Sequence, residues 1–201
     1  MTRQRANTPV VCLASMSPRR RELLAQIGVP HTVVAAQVDE SFLPGESPQE
    51  YVARLARLKA ATVLGRGESL PVLAADTSVV LNGRIYGKPA DRAAGIAMLR
   101  ALAGRTHEVL TAVALGSARG LALRVSSSSV RFREIARAEM EAYWDTGEPH
   151  DKAGGYAIQG YGAVFVAALS GSYSGVMGLP LLETAELLRE AGVRCWMGAA
   201  P

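Results

Sequence analysis

Three features of the chain predict an α/β fold. Apolar runs of strand length recur, amphipathic stretches carry helix-start and helix-stop residues, and the two kinds of segment alternate. With 201 residues, 49% hydrophobic and 20% charged, the composition is that of a globular chain able to bury a core. The expected division is a disordered lead at 1–8, one domain at 9–196 and a short tail at 197–201.

The elements follow in order. Pro9 to Ala14 reads as a buried strand. Ser17-Pro18 supplies an N-cap with proline at the first helical position, Leu23, Leu24 and Ile27 share one face, and Gly28 is the stop. A strand-like stretch covers Thr32 to Ala36. Ser47-Pro48-Gln49-Glu50 is a capping box, opening a helix with Val52, Leu55, Ala56, Ala60 and Val63 at helical spacing. Pro71 to Ala75 is a second apolar strand, and Val79 to Tyr86 reads as a hairpin about Asn82-Gly83. Asp91 caps a helix through Leu102 that Gly104 ends. Strands at His107 to Leu115 and Leu121 to Phe132, a helix over Ile135 to Trp144, a strand at Ala163 to Leu169 and a helix at Leu181 to Ala191 complete the list. A glycine-rich loop from Asp145 to Gly162 is too long for a mere connector, and its Tyr, Ile and Gln argue against disorder.

Several classes are excluded or disfavoured. No apolar run nears the roughly 20 residues a bilayer span needs. The basic MTRQRANTP start leads into a strand-like run and not a signal-peptide core. Cys12 and Cys195 show no metal-ligand spacing and read as reduced thiols, so the expected setting is cytoplasmic. The net charge of +4 is mild and spread along the chain, and no helix-turn-helix or RNA-binding aromatic signature accompanies it.

Four places could carry chemistry. Ser15, Ser17, Arg19 and Arg20 surround a strand-to-helix turn, where free backbone N–H groups and guanidinium groups favour an anion; a solvated basic helix start is the plainer reading. Asp76 follows the apolar Val72 to Ala75 at an expected strand end, where a carboxylate must be paired, hydrogen-bonded or metal-bound, or else caps a turn. Lys59 falls on the apolar stripe of its helix, and Lys88 lies in a tight loop after the hairpin; such lysines commonly snorkel to water. Asp39-Glu40-Ser41 pairs two carboxylates able to hold Mg²⁺ through oxygen ligands, or simply solvated.

Taken together, the segments resemble the Maf family of septum-formation-inhibitor-like nucleotide pyrophosphatases. The resemblance rests on LASMSPRRRELL at 13–24, VDES at 38–41, YVARLARLKA at 51–60, AADTSVVLNG at 74–83 and GKP at 87–89. It continues through MLRALAGRTHEVLTAVAL at 98–115, DKAGGYAIQG at 151–160 and VMGLPLLET at 176–184. It implies a mixed sheet with flanking helices and two lobes around a cleft, akin to the inosine triphosphate pyrophosphatases. The activity implied is divalent-metal-dependent hydrolysis of a nucleoside triphosphate to its monophosphate and pyrophosphate, with Mg²⁺ or Mn²⁺ as cofactor. By the resemblance, Asp76 is the catalytic acid group, Glu40 and Asp76 hold the metal, and Ser15, Ser17, Arg20, Lys59 and Lys88 surround the phosphates. Arg19, Thr77 and Gln159 match the residues of the branch acting on dTTP and UTP. The expected partner is a small-molecule nucleoside triphosphate, with no nucleic acid and no membrane, and with a homodimer left open. A competing reading, suggested by the family's name, is a nucleotide-binding regulator of septum formation that does not turn over.

Overall fold

A computed structural model describes residues 8–196. The expected lead, apart from Thr8, and the expected tail lie outside the described residues. One mixed sheet organises the rest. Its strands are β1 (Val11–Leu13), β2 (His31–Val33), β3 (Val72–Leu81), β4 (Arg84–Tyr86), β5 (Thr106–Ser117), β6 (Gly120–Phe132) and β7 (Val166–Ser170). They run in the order β2-β1-β3-β5-β6-β7, with β4 also paired to β3. The β1 contacts to β2 and β3 are parallel and the other pairings antiparallel. The helices are α1 (Pro18–Gln26), α2 (Pro48–Leu64), α3 (Arg92–Leu102), α4 (Arg137–Asp145), α5 (Tyr173–Met177) and α6 (Leu181–Glu190). The α/β expectation with a mixed sheet and flanking helices therefore holds.

Local chemistry explains the element ends. The capping box at α2 is formed: the Ser47 amide donates to Glu50 Oε2 at 2.9 Å and the Glu50 amide to Ser47 Oγ at 3.3 Å. Asp91 caps α3 by accepting from the Ala94 amide at 2.8 Å. Asn82 and Gly83 both have positive φ, 51° and 75°, as the two-residue hairpin between β3 and β4 requires. Ser17 precedes α1 in extended conformation but its side chain makes no cap; Pro18 alone marks that start.

Strand alternation sorts the core into two faces. Even-numbered positions of β3 and β5, such as Val72, Ala74, Ala112 and Ala114, pack against Val52, Leu55, Ala56 and Ala60 of α2. Odd-numbered positions face the other way. There Leu73, Ala75 and Val113 meet Leu23 and Leu24 of α1 and Leu187 and Leu188 of α6. Farther along that face, Val79, Leu81 and Val109 meet Leu99 and Leu102 of α3 and Met140 and Tyr143 of α4.

Three expectations need correcting. Asp76 does not end a strand: β3 runs on to Leu81, because β5 pairs with it continuously from Val72 to Val80. What stops is the neighbour on the opposite edge. β1 pairs only with Val72 and Leu73 of β3, and the pairing with β4 starts at Val79, so the intervening β3 edge has no partner strand among the described residues. The strand expected at Ala163 begins instead at Val166, after a short 3-10 turn over Tyr161–Phe165. Finally α5, with Ser172 accepting from the Gly175 amide at 2.9 Å, was not expected; its five residues are too few for a helical period to register.

Candidate active site

A cleft of about 690 Å³ opens over the unpartnered stretch of β3. Ten of the residues singled out in the sequence line it: Ser15, Ser17, Arg19, Arg20, Glu40, Lys59, Asp76, Thr77, Lys88 and Gln159.

Asp76 and Thr77 are adjacent and so project to opposite faces of the sheet. Asp76 points to the α2 side and is only 7% exposed. Lys59, on the inner stripe of α2, does not snorkel: it is 9% exposed and its Nζ lies 2.6 Å from Asp76 Oδ1. The same Nζ stands 2.7 Å from Glu40 Oε1, so one ammonium bridges two carboxylates that are 36 positions apart in the chain. Tyr51 supports this arrangement, donating its hydroxyl to the Glu40 carbonyl at 2.9 Å while its ring stacks on Phe42. Arg54 secures the same loop by donating to the Ser41 carbonyl at 2.9 Å.

The two acids do not behave alike. Burial pushes the Asp76 carboxyl above the ordinary aspartate value, and the attraction of Lys59 and Arg20 only partly offsets this. Burial acts on Glu40 in the same sense, but hydrogen bonding to Lys59 and the charges of Lys59, Lys88 and Arg20 outweigh it, leaving Glu40 below its ordinary value. Environments that drive two neighbouring carboxyls apart assign them different work. Asp39, the other half of the expected acidic pair, takes no part. Its Oδ1 accepts from the Ser41 amide at 2.9 Å, folding its own loop, and it does not line the cleft.

On the other face the groups are neutral apart from Arg20. Its Nε donates to the Gly178 carbonyl at 2.7 Å, its Nη2 to Thr77 Oγ1 at 3.2 Å and its Nη1 to Ser15 Oγ at 3.4 Å. Thr77 lies opposite Thr111 of β5, with the two hydroxyls 3.0 Å apart, and Thr111 donates to the Gly175 carbonyl at 2.7 Å. Since each hydroxyl has one proton, the chain runs Arg20 to Thr77 to Thr111 to Gly175. It ties α1 and α5 to the sheet. Two of the five guanidinium N–H groups remain for a ligand.

The glycine-rich loop closes one side. Asp151 Oδ2 meets Arg19 Nη1 at 3.4 Å across the mouth, and Lys152 Nζ holds Asp151 Oδ1 at 2.6 Å. The Gly154 amide donates to the Gly87 carbonyl at 3.0 Å, beside Lys88, and a Cβ on Gly154 would strike Val79. Gly155 has φ +67°, which suits glycine there. Lys152 and Asp151 were quoted in the sequence motif but not singled out; a Lys–Asp pair in a loop carries no signal until the fold faces it toward Arg19.

The two carboxylates fit a hard divalent cation by donor type, and both already reach one point, held here by an ammonium. Among the described residues no cluster of three His, Cys, Asp or Glu side chains stands ready for a metal. Any ion would therefore share its ligands with the phosphates or with water, as Mg²⁺ commonly does.

Comparison with known proteins places the chain. A "dTTP/UTP pyrophosphatase" of Saccharophagus degradans is 52% identical over 199 residues, covering 97% of this chain and 95% of its own. One of Methylococcus capsulatus is 54% identical over 199 residues, covering 94% and 96%. Among solved structures, a Ham1 protein of Coxiella burnetii overlaps 63% of this chain and 73% of its own, at 23% identity and a TM-score of 0.42. That overlap is too loose to bear on the fold, which rests on the sheet itself. The family described as Maf-like protein matches residues 10–191, and the chain belongs to that family.

Proposed function

We propose that this chain hydrolyses dTTP and UTP to the monophosphate and pyrophosphate. The observation that carries the proposal is the buried Asp76, raised in pKa and charge-balanced by Lys59, at the floor of a cleft rimmed by Arg19, Arg20 and Lys88. Relatives at 50% identity or more over nearly the whole chain bear the name dTTP/UTP pyrophosphatase, which supports the same substrates.

The residues divide the work by position. The cationic rim and the α1 N-terminus attract the triphosphate. Arg20 is already oriented by Gly178 and Thr77, so it presents its remaining N–H groups without losing side-chain freedom on binding. Lys59 and Lys88 find new anionic partners in the substrate phosphates, and their ammonium groups stabilise the charge that builds on pyrophosphate as it leaves. A carboxylate with a raised pKa, such as Asp76, is suited to accept the proton of a water attacking the α-phosphorus. Glu40 and Asp76 would hold Mg²⁺ or Mn²⁺, which when bound neutralises phosphate charge and acidifies water. Gln159 is exposed on the loop wall, and its amide can both donate and accept, matching the mixed O4 and N3–H edge of thymine or uracil.

Among the described residues no helix is long and apolar enough to cross a membrane, and Cys12 and Cys195 are free thiols. A cytoplasmic site of action is part of the proposal.

Initial rates on a panel of nucleoside triphosphates, read as pyrophosphate released with and without a chelator, test it. Expected are dTTP and UTP as leading substrates and loss of activity on chelation. Inert triphosphates, or a preference for guanine or methylguanine, would overturn the reading.

A further inference from the structure

Gln159 lines the cleft and is exposed, and among the described residues its side chain makes no hydrogen bond to the protein. Something must fix its place, because a base-reading amide loses discrimination when it drifts. The backbone on either side of it is fastened to two side chains that do not line the cleft. Glu148 Oε1 accepts from the Tyr143 hydroxyl at 2.7 Å and from the Gly162 amide at 3.0 Å; its Oε2 accepts from the Tyr161 amide at 3.0 Å. The Tyr143 oxygen in turn accepts from the Ala157 amide at 3.0 Å. The segment from 157 to 162, with Gln159 inside it, thus wraps one carboxylate and one phenol.

The wrapping is close. A Cβ on Gly160 would overlap the Glu148 carboxylate, and one on Gly162 would lie 2.7 Å from the Tyr143 hydroxyl. Tyr143 is 4% exposed, and its ring meets Phe165 edge-on at 5.1 Å, so it cannot swing away. Three donors converge on the Glu148 carboxylate and a fourth on the phenol they share. An amide at 148 would necessarily turn an N–H toward one of those donors.

We propose that Glu148 and Tyr143 are positioning residues for recognition of the pyrimidine ring, acting through residues 157–162 on Gln159. The inference rests on the dTTP/UTP reading and adds to it the residues that fix the base-reading side chain.

Glu148→Gln, Tyr143→Phe, Gln159→Ala and the Tyr143→Phe/Gln159→Ala double variant test it, through KM and kcat on dTTP and CTP and through thermal melting. Tyr143→Phe, which deletes one oxygen, serves if Glu148→Gln does not fold. Expected for Tyr143→Phe is a KM for dTTP raised roughly tenfold, the scale of one displaced hydrogen bond, with kcat changed far less and the dTTP preference over CTP reduced. In the Gln159→Ala background the same change should leave that preference untouched. A lowered melting temperature with KM and preference unchanged would overturn the inference, as would additive effects in the double variant. If the unsubstituted protein hydrolyses neither dTTP nor UTP, the functional reading itself fails and the inference with it. If it does and the variants match it, only the inference fails.

Discussion

Asp76 and Thr77 are one peptide apart, yet they belong to two regions built on different physics. On the α2 face, Asp76, Lys59 and Glu40 form a charge cluster whose members partner one another. On the opposite face, Thr77, Thr111 and Arg20 form a directional hydrogen-bond chain that ends on the backbone carbonyls of Gly175 and Gly178. The first region is balanced internally but has alternatives, since anionic phosphates compete for the ammonium and a cation competes for the carboxylates. The second has every hydroxyl committed and fixes α1 and α5 against the sheet. Chemistry sits where partners are exchangeable, and rigidity where they are not.

The sharpest way to break this contrast is Asp76→Asn. Turnover should fall by about 10²- to 10⁴-fold, the usual worth of a positioned proton acceptor. The melting temperature should hold, because the amide fills the same space while Lys59 keeps Glu40. Near-normal turnover in a folded variant would move the chemistry away from this face.

Lys59→Met should come next. It leaves a buried carboxylate without its cation, a loss on the order of 3 kcal/mol in denaturant unfolding. Adding Asp76→Asn should restore most of that stability. An unchanged midpoint in Lys59→Met would show that the cluster is solvated and not internally balanced.

The neutral face has its own pH signature. His107, on β5, is 2% exposed and its Nε2 lies 2.9 Å from the hydroxyl of Tyr156, in the glycine-rich loop. Burial lowers its pKa to about 4. The unfolded chain therefore takes up a proton near pH 6.5 that the folded chain refuses until about pH 4. The stability is fully present above 6.5 and is lost as pH falls through that window, amounting to roughly 3 kcal/mol at its lower end. Melting curves from pH 7 to 4 should fall less steeply in His107→Phe than in the unsubstituted protein.

Thr77→Val should give the smallest change, about 1 kcal/mol of stability with a modest rise in KM, because one link of the chain is removed and Arg20 keeps Gly178. A catalytic loss as large as that of Asp76→Asn would erase the distinction between the faces.

Much of this was legible in the sequence because it depends on local rules. The capping box at Ser47, the Asn82-Gly83 hairpin and the Asp91 cap each need only neighbours within four positions, and each formed. The candidate site residues came from motifs with a mechanism or from the family resemblance, and the cleft gathers them all except Asp39. What was not legible depends on distant pairing. Asp76-Thr77-Ser78 looks like the end of an apolar strand, and only the ladder to β5 carries the strand through it. Lys59 looked able to reach water, since nothing in α2 announces a carboxylate on the strand beneath. Asp39 and Glu40 looked like a pair, but Asp39 is taken up by the Ser41 amide of its own loop while Glu40 reaches Lys59, and of the two Glu40 alone meets the cleft. The Glu148 and Tyr143 contacts span five to fourteen positions through an irregular loop with no period to detect.

The account stands or falls on where the attacking water goes. Turnover of dTTP in water enriched in heavy oxygen, with the products resolved by mass, reads this directly. Label in dTMP and none in pyrophosphate is the predicted result. Label in pyrophosphate, or release of single phosphate, would contradict attack at the α-phosphorus.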